Sequence, residues 1–310
     1  MLMAGTMALS MTACGGGGAS DGAAKNGVSM PTQSLQRWNQ DGSNMKEQLE
    51  AAGYEVDLQY AGDNDIPTQV SQIENMIAGG CDALVIAAID GSALTEALKG
   101  ASENNIPVIS YDRLIMNSDA VSYYATFDNY KVGQMQGEYI RDALDLDNAA
   151  GPFNIELTTG APDDNNVNFF FGGAMDVLQP YIDSGKLDAV LCSNDSTSYG
   201  VQNALQAAGY TAENMPIITG QDCDKPNVKN LVSGLQSMSV FKDTRTLADA
   251  TVKMVDAIVK GTEPEINDTE TYDNGTGIIP SYLCDPVVVT KDNYEEILID
   301  SGYYTAEDVA

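Results

Sequence analysis

Twice along these 310 residues, short apolar runs alternate with segments of helical period, and that repetition restricts the chain to parallel sheets covered by helices. The run ALVIAA at 83–88 has no polar alternation, as expected of a strand buried on both faces. Before it, Met45, Leu49 and Ala52 predict a helix over 42–52 stopped by Gly53. Val56, Leu58 and Tyr60 alternate as in a strand, and Val70, Ile73 and Ile77 mark a helix closed by Gly79–Gly80. A helix at 92–104 and strands at 107–111 and 123–127 complete a first lobe. After a helix over 130–144 the pattern restarts. Strands are predicted at 154–158, 188–192, 216–220 and 237–241, with helices at 166–183, 198–208 and 225–233. A last long helix carries Leu247, Val252, Val255 and Ile258 on one side and ends at Gly261. The fold class is therefore α/β, with two doubly wound parallel-sheet lobes.

Length and charge agree with two lobes and narrow their partners. A chain of 310 residues exceeds one typical domain, and 43% hydrophobic residues suffice for two cores. A formal charge of −30 repels phosphate backbones, so nucleic acid is not an expected partner. Histidine is absent, which removes Ser–His and Cys–His nucleophile pairs and imidazole metal sites. A carboxylate-based hydrolase and a binder without chemistry both pass that filter. Cys81, Cys192, Cys223 and Cys284 form no CxxC pair or metal spacing and are expected to be buried free thiols, without a Cys192–Cys223 disulfide. The small apolar residues 1–13 before Cys14 resemble a bacterial lipobox, with Met11 where Leu is usual. Gly15–Gly18 and the small residues to Ala24 then read as a flexible tether, and no later stretch is apolar and long enough to span a bilayer.

Ligands of open α/β sheets bind beyond the carboxyl ends of the strands. Those ends carry Asp112–Arg113, Asp163–Asp164–Asn165–Asn166, Ser193–Asn194–Asp195, Gln221–Asp222 and Lys242–Asp243, and the opening loop adds Arg37 and Trp38. For Asp90, Ser92, Asp128 and Asp195, helix capping is the expected role. The other side chains mix donors and acceptors, as vicinal hydroxyls require, and an indole offers an apolar face to the C–H side of a sugar ring. A phosphate site would want glycine-rich loops and basic residues, and a metal site tighter carboxylate clusters.

At these residues the sequence resembles the periplasmic-binding-protein type I sugar receptors, in particular the xylose-binding and multiple-monosaccharide-binding group. The resemblance rests on LQRWNQDG (35–42), QVSQIENMI (69–77), SYDRLI (110–115), YYATFDN (123–129), PDDNN (162–166), SND (193–195), GQDCD (220–224) and VFKDTR (240–245). It implies sugar contacts from Arg37, Asp112, Arg113, Asn166, Asn194, Asp222 and Lys242, with Trp38 as a stacking or wall residue. It also implies three crossings between lobes, near Asp128, near Lys242 and around 265–275. The lobes would then be 27–127 with 242–268, and 128–241 with 269–310, after a signal remnant, lipobox and tether over 1–26. The chain departs from the family where GKL (185–187) runs straight into DAVL (188–191). A strand-plus-helix step, on the order of 30 residues, is missing there. In relatives that step carries a tryptophan, so Trp38 is expected to lack a partner across the cleft. Joining the preceding helix to the next strand requires that helix to change face or a left-handed crossover, and strand 154–158 loses a neighbour. A weakened second lobe and reduced sugar affinity are expected.

The resemblance implies a lipid-anchored monosaccharide receptor of xylose, glucose or galactose type, outside the cytoplasmic membrane. It would be a monomer without cofactor or metal that delivers sugar to an ABC importer permease and is not an enzyme. Two rivals are a sugar sensor for a membrane signalling receptor and a glycosidase using two of Asp112, Asp164 and Asp222. A cytoplasmic repressor of this fold would carry a helix-turn-helix before the first lobe.

Overall fold

The computed structural model describes residues 23–151, 153, 155–158, 160, 164–183 and 189–309. The expectations placed on Cys14, on Asp163 and on the join at 184–188 lie outside these residues.

The first lobe is a six-stranded sheet ordered β2-β1-β3-β4-β5-β9 and parallel throughout. Its strands are β1 (Lys25–Met30), β2 (Glu55–Tyr60), β3 (Ala83–Ile86), β4 (Val108–Tyr111), β5 (Val121–Phe127) and β9 (Ser281–Cys284). Helices α1 (Gln36–Ala51) and α8 (Thr244–Val259) cover one face, while α2 (Ile66–Ala78) and α3 (Thr95–Glu103) cover the other. The absence of alternation in ALVIAA follows from this double cover: Val85 and Ala87 enter one core, and Leu84 and Ile86 the other. Helix α8 returns to this lobe, where Tyr54 of the α1–β2 turn donates to Asp256 at 2.6 Å.

Two boundaries differ from the sequence reading. Helix α1 begins at Gln36, not at 42, so Arg37 and Trp38 sit on its first turn rather than in a loop. Asp41 pairs with Arg37 one turn back, and a Cβ at Gly42 would strike the Tyr60 hydroxyl. The third crossing comes at Asp285, not at 265–275. Residues 267–281 stay on the first lobe through Tyr272 and Ile279 in its core and Asn274 bonded to the Ile115 and Ser118 carbonyls. Strand β9 then covers the open edge of β5. This segment is polar and without period, so nothing in its sequence marks which lobe it serves.

In the second lobe β6 (Ile155–Thr158) pairs directly with parallel β7 (Ala189–Cys192), and β8 (Ser239–Phe241) pairs with antiparallel β10 (Val287–Val289). Between them, 216–220 is not a regular strand. On one side it meets β8 through Val240 N–H to Gly220 O at 3.0 Å and the Gln221–Val240 bridge. On the other, a side chain, Thr219 Oγ1, accepts the Cys192 N–H at 3.1 Å in place of a backbone ladder.

Helix α5 (Asn166–Asp183) lies along α4 (Asn129–Ala143), and both bury Leu157 of β6 and Leu191 of β7. The pair packs on its sheet as α1 and α8 do on that of the first lobe. The close packing needs glycine from each helix: a Cβ at Gly133 would collide with the Phe170 carbonyl, and one at Gly173 with the Tyr130 carbonyl. Among the described residues, β6 pairs with β7 alone. Helices α6 (Asp195–Ala207) and α7 (Lys225–Ser233) complete the lobe, and Cys81, Cys192, Cys223 and Cys284 are buried free thiols. No described helix is long and apolar enough to cross a membrane. The whole is two βα lobes joined by three chain crossings.

Candidate binding site

A cavity of about 130 Å³ lies where the strand ends of the two lobes face each other. Arg37, Trp38, Asp112 and Arg113 line it from the first lobe, Asn166, Asn194 and Asp222 from the second, and Lys242 from a crossing. All eight side chains singled out in the sequence thus meet in one place.

Two of the carboxylates sit on unusual backbone. Asp112 has φ +58° and Asp222 φ +97°, a region that costs a non-glycine residue about 1–3 kcal/mol and persists only when neighbours enforce it. The enforcement at Asp112 is visible. Its carbonyl accepts from Tyr124 Oη at 2.7 Å, Asn166 Nδ2 at 2.9 Å and Thr126 Oγ1 at 3.1 Å. Asn166, expected as a ligand contact, therefore spends its amide nitrogen tying the second lobe to the first. Its Oδ1 accepts from Asn129 Nδ2 at 3.0 Å.

Arg37 is the electrostatic centre. Its Nε donates to Asp41 at 2.6 Å, Nη2 to Asp112 at 2.8 Å and Nη1 to Asp222 at 2.7 Å, and the last pair crosses the cleft. Lys242 Nζ reaches Asp112 at 3.3 Å and Asp222 at 3.7 Å, and Arg113 Nε reaches Asp164 at 3.2 Å. Burial alone would raise the Asp112 carboxyl, but Lys242, Arg37 and Arg113 overcome it and hold its pKa at about 2. Asp41 has only one cation close by, and burial lifts it to about 6 against the pull of Arg37. Burial raises Asp164 as well, with Arg113 opposing. In the second lobe Asp224 is pushed up to about 7, by burial first and by Asp222 second.

The apolar walls are Trp38 and Phe170. Trp38 packs under the Arg113 and Arg37 guanidinium groups, 5.2 and 5.8 Å from its ring centre. Phe170 of α5 lines the cavity from the other lobe, with Lys242 Nζ 5.9 Å from its ring centre. The sequence reading missed it because Phe170 falls inside the apolar run of a helix and looks like core. Capping expectations also change at Asp195, Asp90 and Ser92. Asn194, not Asp195, caps α6: its Oδ1 accepts the Thr197 N–H at 3.0 Å, which leaves its Nδ2 for the cavity. Asp195 is buried behind it among Gln236 and Ser239. Asp128 caps α4 as expected, and Asp90 accepts the Ser92 N–H in a turn, but Ser92 caps no helix.

The periplasmic binding protein domain family matches residues 26–186 and again 180–263. The multiple sugar-binding periplasmic receptor ChvE of Rhizobium radiobacter is 48% identical over 322 residues, covering 91% of each chain. The D-xylose-binding periplasmic protein of Escherichia coli K12 is 33% identical, over 90% of this chain and 91% of its own. A crystal structure of an ABC transporter solute binding protein from Clostridium phytofermentans with bound beta-D-glucose has a TM-score of 0.89 and 58% identity. It covers 92% of this chain and 100% of that one. The alignment with the Rhizobium receptor runs to 322 positions, more than the 310 residues present here, so that relative carries residues without a counterpart. The family match breaks at 180–186, beside the short join read from the sequence.

Proposed function

Since the chain belongs to the periplasmic-binding-protein family, we propose that it is an extracytoplasmic receptor that closes its lobes on one monosaccharide of glucose, xylose or galactose type. It hands that sugar to an ABC importer. The observation that carries this reading is the charge pairing of the cavity. Arg37, Arg113 and Lys242 each already hold a carboxylate within 3.3 Å. Among the described residues that line the cavity, an anionic ligand finds no free cation and a cationic one no free carboxylate. A neutral ligand that both donates and accepts can exchange with every member of the network. The size agrees: about 130 Å³ is far below the roughly 300–1,000 Å³ of drug-sized pockets, so one ring fits and an oligosaccharide does not.

The mechanism is binding without turnover. An open form admits the sugar, and closure buries it between Arg37 and Asp112 on one side and Asn194 and Asp222 on the other. Trp38 and Phe170 receive the C–H faces of the ring. The carboxylates are committed to ion pairs, so none is a free general acid, and aryl glycosides should pass through unchanged. Cys14 serves as the lipid attachment point, and the receptor acts as a monomer. A thermal-shift screen across pentoses and hexoses tests the reading: at least one aldose should raise the melting temperature. Asp222→Ala should weaken that sugar at least tenfold, since a charged hydrogen bond contributes about 1.5–3 kcal/mol. No response to any monosaccharide, or an unchanged affinity in Asp222→Ala, would overturn it. Release of a Cys14→Ser variant from the membrane fraction tests the anchor.

A further inference from the structure

The geometry points to Tyr124 and Thr126 as positioning residues for sugar binding: their hydroxyls hold Asp112 in the turn that aims its carboxylate into the cavity. The inference rests on the monosaccharide reading above and deepens it.

Asp112 is where the ladder between β4 and β5 ends. Its N–H still donates to the Ala125 carbonyl at 2.8 Å. The next N–H, of Arg113, turns back to the Tyr111 carbonyl at 2.6 Å and closes a three-residue turn with Asp112 at its centre. The φ of +58° at Asp112 belongs to the positive-φ form of that turn, which is rare and strained. The reversal serves the site. Neighbouring side chains of an extended strand point to opposite sides, yet Asp112 and Arg113 both line the cavity.

No backbone N–H among the described residues meets the Asp112 carbonyl, and a buried carbonyl needs a donor. Side chains supply it: Tyr124 Oη at 2.7 Å, Thr126 Oγ1 at 3.1 Å and, from the second lobe, Asn166 Nδ2 at 2.9 Å. A carbonyl oxygen has two lone pairs, so three donors on one exceed what satisfaction requires. They converge on the residue whose carboxylate pairs with Arg37 at 2.8 Å and Lys242 at 3.3 Å. Tyr124 and Thr126 are fully buried and absent from the cavity wall, so neither meets a ligand directly. Both hydroxyls are themselves oriented. The other acceptor in reach of Tyr124 Oη, Asn166 Oδ1, lies at 3.2 Å, so the single proton goes to the nearer Asp112 carbonyl. Asn129 Nδ2 donates to Thr126 Oγ1 at 3.3 Å, which leaves the Thr126 proton for Asp112. The Tyr124 ring is fixed edge-on against Tyr272 at 5.0 Å. Without the two hydroxyls the turn relaxes toward negative φ, and the carboxylate leaves the position where a sugar hydroxyl meets it.

The test is calorimetric titration of the full chain with D-glucose, D-xylose and D-galactose, the tightest of the three then serving to compare variants. Tyr124→Phe keeps the ring and Thr126→Val the shape, and each should bind about 3–10-fold more weakly than wild type. Thr126→Ser, which keeps the hydroxyl, should recover the affinity that Thr126→Val loses. Asparagine tolerates the same φ as aspartate but carries no charge to aim. In an Asp112→Asn background Tyr124→Phe should therefore cost less than about twofold, whereas a hydroxyl that serves only the fold would cost the same in both backgrounds. Equal losses in both backgrounds, or losses below about twofold in both Tyr124→Phe and Thr126→Val, overturn the inference and leave the receptor reading intact. If Tyr124→Phe does not fold, the Thr126 variants carry the test in the same two backgrounds. A wild type that binds none of the three sugars overturns both.

Discussion

Replacing Arg37 by methionine keeps most of the apolar stem and removes the one group on which three carboxylates converge. The guanidinium donates to Asp41, Asp112 and Asp222 over 2.6–2.8 Å, and its side chain is only 7% exposed. Without it, Asp112 and Asp222 share Lys242, with Arg113 still acting on Asp112, and among the described residues Asp41 keeps the Tyr111 hydroxyl at 2.7 Å. Removing one partner of a buried ion pair costs about 3–5 kcal/mol, because the other charge stays buried and unpaired. Asp41 loses its ion-pair partner outright while Asp112 and Asp222 keep Lys242, which puts this variant within that range. The loss should depend on pH with a definite sign. Burial holds the Asp41 carboxyl at about 6 while Arg37 pulls it down, so the variant's carboxyl lies higher still. A carboxyl whose folded-state pKa is raised stabilises the fold at pH below its unfolded value and loses that contribution as pH rises through the folded value. The deficit against wild type should therefore be largest near pH 8 and shrink toward pH 5.5. Urea denaturation followed by circular dichroism at both pH values measures it. A deficit under about 1 kcal/mol at pH 8, or one that grows as the pH falls, would refute the reasoning.

Asp224, held at about 7 by burial and by Asp222, should make the protein more stable at pH 6 than at pH 8, and Asp224→Asn should remove part of that gain. An identical pH slope in the variant, read by melting temperature, contradicts the assignment. Gly133→Ala should cost about 1–3 kcal/mol, since its Cβ meets the Phe170 backbone and only separation of α4 from α5 relieves the clash. Gly200→Ala, in α6 with nothing within 4 Å, should instead stabilise by about 0.5–1 kcal/mol, and chemical denaturation of the two variants side by side decides. Scanning calorimetry should show the second lobe, where β6 has one partner strand, melting ahead of the first. A single cooperative transition would contradict that weakness.

The sequence revealed most where one physical demand acted alone. Strands buried on both faces could only read as continuous apolar runs, so 83–88 and its neighbours were legible, and their polar ends pointed to the cavity. It misled where two demands met in one segment. The first turn of α1 carries Arg37 and Trp38 to the cavity wall, so Gln36–Asp41 lacks helical apolar period although it is helix. Phe170 serves the α4–α5 core and the cavity wall at once, and only the first role has a sequence signal. Asn194 and Asp195 are adjacent and chemically alike, and only coordinates separate the cap from the buried carboxylate. The return of 267–284 to the first lobe depends on the free edge of β5, a property of the assembled sheet and not of the segment.

The central claim is that one neutral sugar ring bridges both lobes inside the charge-paired cavity. A crystal structure grown with the aldose that gives the largest thermal shift tests it most directly. The account predicts a single pyranose between Trp38 and Phe170, with hydroxyls on Arg37, Asp112, Asn194 and Asp222. A sugar bound elsewhere, or contacting only one lobe, would contradict it.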